Sequence, residues 1–139
     1  MLDWTADPPG RSPEVGLRAL RVLVLAHWAT QLWAWAIQPL ALSSDLPRPV
    51  YAAAAALFTA SCVMAFTKRG RQACIFALPI AFAACAHLFP VLPNHTGLAF
   101  LVLALFAWLD VRGEDGQLLS RTLRWMTVLV FIWAGLQKA

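Results

Sequence analysis

Lys138 ends an apolar run that opens at Arg124: Arg124-Trp125-Met126-Thr127-Val128-Leu129-Val130-Phe131-Ile132-Trp133-Ala134-Gly135-Leu136-Gln137-Lys138. A lysine at the end of a membrane helix, one turn after a glycine, can take two roles. It can be an interfacial anchor whose head reaches water. It can also be a working base, because a desolvated pocket disfavours the ammonium and frees the amine to accept a proton. A histidine beside it could donate, accept or orient, and His95 opens another apolar run next to Asn94. Lys138 and His95 are therefore the candidate catalytic pair. Polar groups inside apolar runs are expensive in hydrocarbon and normally face other helices or a cavity. On that ground Asn94, His27, Gln31 and His87 are the candidate ligand-binding residues.

Metal and nucleic-acid chemistry fit less well. The three cysteines, Cys62, Cys74 and Cys85, lie inside apolar runs and form no CxxC or CxxH pair, so they read as small packing residues. No metal ligand set is assigned. A bis-histidine haem would need its two ligands at one depth. From the rise per residue, His27 lies about 15 Å and His87 about 24 Å from the inner face, a mismatch. The net charge of +4 sits in short clusters between apolar runs, which is a membrane-topology pattern rather than a basic stripe for nucleic acid.

The elements that must position these groups follow from composition. Of the 139 residues, 60% are hydrophobic and 13% charged, and the mean hydropathy is +0.65. A soluble domain carries roughly 45–50% apolar and about 25% charged residues. So much apolar surface cannot be hidden in one small core, and a bilayer is the expected solvent. The expected fold is an all-α integral membrane bundle of five transmembrane helices. Residues 1–16, broken by Pro8, Pro9, Gly10 and Pro13, read as a polar tail, and residues 17–139 as the membrane domain.

Five apolar runs place the helices at about 17–41, 49–67, 71–89, 95–110 and 120–138. His27, Thr30, Gln31 and Gln38 share one side of the first. Ala52, Ala56 and Ala60 recur at four-residue spacing in the second and predict a close helix contact. Pro79 falls inside the third and should kink it or free a carbonyl. The fourth is short for a span, and Asn94 or Thr96 can cap its start. Residues 110–121 read as a solvated polar loop.

Basic residues set the orientation. Arg11, Arg18, Arg21, Lys68, Arg69, Arg71, Arg112, Arg121 and Arg124 fall on the side of the N-terminus, and only Arg48 and Lys138 on the other. By the positive-inside rule the N-terminus is cytoplasmic and the end of the fifth helix lies outside. The expected location is a bacterial inner membrane. Gln38, His87, Asn94, His95, Gln137 and Lys138 then gather toward the outer leaflet. This predicts a cavity opening outward, with His95 and Lys138 at similar depth.

Two motifs carry a resemblance. Pro93-Asn94-His95, followed by Arg124 and the run Phe131-Ile132-Trp133-Ala134-Gly135-Leu136-Gln137-Lys138, resembles the HTTM (horizontally transferred transmembrane) family, which includes the vitamin K-dependent gamma-carboxylase. Ala139 stands where that family usually has leucine. The resemblance covers the N-terminal part of the family only, and its later helices would lie beyond this chain. It implies that Lys138 matches the base that deprotonates reduced vitamin K, and that His95 lies in the same site. It also implies a quinone-like ligand.

The resulting expectation is the membrane core of a carboxylase-like protein, with an outward cavity for a quinone-like or lipid-like ligand. The rival is a non-catalytic membrane subunit, or a truncated remnant, packing against partner membrane proteins or a second copy of itself.

Overall fold

The computed structural model describes residues 13–37, 47–88 and 94–136, without the side chains of 88, 94 and 133–136. Among the described residues the fold is all-α, with five helices and no strand: α1 (Glu14–Ile37), α2 (Arg48–Ala65), α3 (Gly70–Leu88), α4 (Asn94–Trp108) and α5 (Gly113–Leu136). α1 packs along α2, α2 along α3 and α3 along α4, and α4 closes against α1. α5 lies against α1 and α4 alone. One described helix, Arg48–Ala65, is long and apolar enough to cross a membrane.

The core is centred on the α1–α2 pair. Trp28 stacks on Phe58 with ring centroids 5.8 Å apart. Trp35 meets Tyr51 edge to face at 6.3 Å. Leu25, Leu32, Ala55, Leu103 and Phe106 fill the space around them and are fully buried. The spacing on α2 corrects the alanine expectation. Tyr51, Ala55, Phe58 and Ala65 form its buried face, while Ala52 is half-buried and Ala56 and Ala60 are exposed. The aromatic residues decide the rotation of the helix. Burying Phe58 against Trp28 removes more apolar surface than burying methyl groups.

The starts of α1, α3 and α5 share one end of the bundle with the ends of α2 and α4. Arginines close that end. The Arg21 guanidinium is buried and donates from Nη2 to the Ala65 carbonyl at 2.9 Å, satisfying a free oxygen at the end of α2. Gly70 makes room for it, since a Cβ there would sit 2.0 Å from Arg21 Nη2. Arg71 Nε donates to Ala107 O at 3.2 Å and does the same for α4.

The fifth helix begins earlier than the sequence reading had it. Most of the stretch expected as a loop is its first two turns. Gly113 turns the chain at φ +59°, a conformation glycine adopts without a Cβ penalty. Glu114 and Asp115 then occupy the first turn, where carboxylates suit the positive end of the helix dipole. Leu119 is fully buried. The acidic residues that suggested a solvent loop are start signals. Pro79 is exposed within an α3 assigned as one continuous helix.

Glu14 ties the first helix to the α4–α5 turn. It accepts from Arg112 Nε at 2.8 Å and from Arg18. The Arg112 hydrogen bond, helped by the charges of both arginines, holds its carboxyl below the ordinary carboxylate value. A depressed folded-state pKa gives stability that is present above the unfolded value and is lost as pH falls through the folded one. The melting temperature should therefore fall as pH drops below about 4.5, the ordinary value. Glu14→Gln should flatten that acid limb slightly, since the pair is exposed. An unchanged limb in a pH series of thermal melts would refute the assignment.

Candidate functional site

α1, α4 and α5 line an open cavity of about 380 Å³. Leu20, Leu123 and Val102 line its lower part. His27, His95 and Phe131 line it about two turns away on the same helices, His95 toward the start of α4. The two imidazoles meet edge to face, with centroids 5.7 Å apart and planes at 75°. Apart from this pair and Thr127, the walls are aliphatic or aromatic side chains and the thioether Met126.

Helix length brings the histidines together. His27 is 13 residues from the start of α1, and His95 is 13 residues from the end of α4. At 1.5 Å per residue each stands about 20 Å above the same end of the bundle. The short α4 thus places its first turn beside the middle of α1. A helix of full span would have lifted His95 away from His27.

His27 Nε2 is buried and has no hydrogen-bond partner among the described residues. The Thr96 hydroxyl, in the first turn of α4, is equally buried and unpartnered. α4 starts at Asn94, so Thr96 lies inside the helix rather than at its cap position. Unpaired buried polar atoms cost stability and are retained where something else uses them. Thr96 is legible in the sequence as a possible cap, and its burial within the first turn is not.

The other candidates separate. Gln31 lies one turn beyond His27, half-buried and outside the cavity lining. Thr30 is exposed and its hydroxyl donates back to the His27 carbonyl at 2.8 Å. His87 is exposed near the end of α3 and does not line the cavity. Lys138, Gln137, Gln38 and the Asn94 side chain lie outside the described residues. Cys74 is buried and Cys62 and Cys85 half-buried, all as free thiols. Among the described residues no group of three His, Cys, Asp or Glu side chains could hold a metal ion.

The arrangement can bind an apolar molecule carrying a polar head. The aliphatic walls would take its body, and the imidazoles would offer a donor or an acceptor to its head. The volume falls in the range of small-molecule pockets, about 300–1,000 Å³. A comparison with known protein families, curated proteins and solved structures finds no match to this chain.

Proposed function

We propose that the chain is the membrane core of an HTTM or carboxylase-like protein, and that the α1–α4–α5 cavity holds a quinone-like or lipid-like ligand. The observation that carries this reading is the His27–His95 pair facing an apolar cavity. A quinol presents hydroxyls to an imidazole on a flat apolar body, which is the chemistry such a cavity complements. In this reading His95 and His27 hold the ring oxygens, and Lys138 is the base that removes a quinol proton. Lys138 follows Phe131 by seven residues, two helical turns. The proposal requires the helix to carry on that far, so that the lysine returns to the cavity face.

The membrane reading is supported by large apolar side chains exposed on every helix. They include Leu23 and Ile37 on α1, Val63 on α2, Phe76 and Phe82 on α3, Trp108 on α4 and Phe131 on α5. A soluble monomer rarely exposes so continuous an apolar surface. In this reading the five helices lie in the bilayer of a bacterial inner membrane, α4 reaching only partway from the arginine-closed end, which is cytoplasmic. The rival reading is a non-catalytic subunit that packs against partner membrane proteins. It is favoured by the outer half of α5, where Leu129, Val130, Phe131 and Ile132 are all exposed.

A binding experiment separates the two. The full-length protein in lipid nanodiscs is titrated with a short-chain 1,4-naphthoquinone and with its hydroquinone, following quenching of tryptophan fluorescence. Saturable binding is expected. His27→Leu and His95→Leu should each weaken it about tenfold, as loss of one buried hydrogen bond predicts. His87→Leu should leave it unchanged. Absence of saturation, or wild-type affinity in both variants, sinks the ligand reading and leaves the subunit.

A further inference from the structure

A second concave surface lies at the arginine-closed end. Arg18, Ala19, Val22 and Leu23 of α1 face Ala65 and Phe66 at the end of α2 across a groove of about 490 Å³. Leu23 is 64% and Phe66 77% exposed, so the groove opens sideways, on the face that a membrane would cover. Lys68 and Arg69 follow Phe66 in the turn to α3.

The charge of that turn is uncompensated. The neighbouring arginines are engaged: Arg18 by Glu14, Arg21 by Ala65 O and Arg71 by Ala107 O. Lys68 and Arg69 are exposed, and among the described residues neither side chain has an ion-pair or hydrogen-bond partner. No acidic residue occurs from residue 46 to 109, so α2 and α3 bring no counter-charge. The turn itself is fixed. The Thr67 hydroxyl donates to Met64 O at 2.7 Å and accepts from Arg69 N at 3.1 Å, and Gly70 N donates to Thr67 O at 3.3 Å.

We propose that this groove binds an anionic phospholipid, with one acyl chain along Val22, Leu23 and Phe66 and the phosphate on Lys68 and Arg69. A cationic pair two and three residues past Phe66, which lines the groove, complements a phosphate ester at the end of an acyl chain. The proposal rests on the membrane reading above, because only at a bilayer surface would groove and turn meet headgroup and chain together. It is a different surface from the histidine cavity, which α4 and α5 help to form, although Leu23 borders both.

The test uses the full chain in nanodiscs made from an equal mixture of phosphatidylglycerol and phosphatidylcholine. The protein is extracted in mild detergent, and retained lipid is quantified by mass spectrometry. Phosphatidylglycerol should be retained about thirtyfold over phosphatidylcholine, the scale expected for two basic residues near a membrane surface. Lys68→Gln combined with Arg69→Gln should bring the ratio near unity, whereas Arg48→Gln, at the opposite end, should leave it intact. Ala19→Phe fills the groove without changing charge and should also abolish retention. Excess glycerol phosphate should not displace the lipid.

The proposal is overturned if the double variant keeps the preference, if Arg48→Gln loses as much, if Ala19→Phe changes nothing, or if glycerol phosphate competes fully. Flotation of the wild-type chain with phosphatidylcholine vesicles after a carbonate wash is run alongside. Failure to float removes the membrane reading itself. Flotation without lipid preference removes this site alone.

Discussion

Trp28→Ala should destabilise the protein by about 3–5 kcal/mol, the range for deleting a buried large aromatic side chain. Trp28 is fully buried and stacks on Phe58, so its removal leaves a cavity between α1 and α2 that those helices cannot easily close. Trp28→Phe should be far milder. It keeps the ring contact, and the indole Nε1 has no partner among the described residues to lose. The same core makes a sharp contrast on α2. Ala55 is fully buried and Ala56 is exposed. Ala55→Leu should cost about 1–3 kcal/mol through overpacking, and Ala56→Leu close to nothing. Thermal melts in one detergent measure all four. If Ala56→Leu proved as harmful as Ala55→Leu, the rotation of α2 described above would be wrong, or a second chain would cover the alanine face.

Lys138→Arg should abolish any quinone-dependent turnover of the full-length protein while leaving expression and insertion intact. General-base catalysis contributes about 10²–10⁴-fold, so the expected loss is at least about a hundredfold. The reasoning turns on the difference between the two cations. Arginine extends along apolar surface toward water as lysine does, so an anchoring role survives the exchange. A guanidinium does not give up its proton in this range, so a base does not survive it. Retained turnover in Lys138→Arg would assign the residue to anchoring and move the search for a base to His27 and His95, the cavity's own titratable groups. A stopped reaction with unchanged naphthoquinone binding would separate the proton step from ligand recognition.

The helices were legible because each apolar run is bounded by prolines, glycines or charge, although α1 and α5 start earlier than their apolar runs do. Their rotations were not legible. Ala52, Ala56 and Ala60 look like a packing stripe, yet the aromatic face bearing Tyr51 and Phe58 buries more surface and decides the outcome. The start of α5 was missed because Glu114 and Asp115 signal solvent and a helix N-terminus equally well; the positive φ of Gly113, invisible in sequence, resolves the choice. His27 and His95 were each legible as polar residues in apolar runs. Their meeting was not, because the sequence places His95 toward the outer leaflet with Lys138 and His27 about 15 Å from the inner face. Thirteen residues on each side bring the rings together, and that count needs the end of α4 at Trp108.

The Arg21 guanidinium has a consequence for biogenesis. It leaves α1 and accepts a position between the end of α2 and the glycine that starts α3. A chain that enters a bilayer one helix at a time cannot form this bond while only its first helix is in place. In the proposed membrane topology, the partner carbonyl reaches Arg21 only after α2 has followed α1 into the bilayer, and the guanidinium is enclosed once Gly70 follows. The arginine would then act as a latch that closes when the first hairpin is complete, and until then its charge would oppose translocation of the N-terminal end. One residue would serve orientation during insertion and cohesion afterwards.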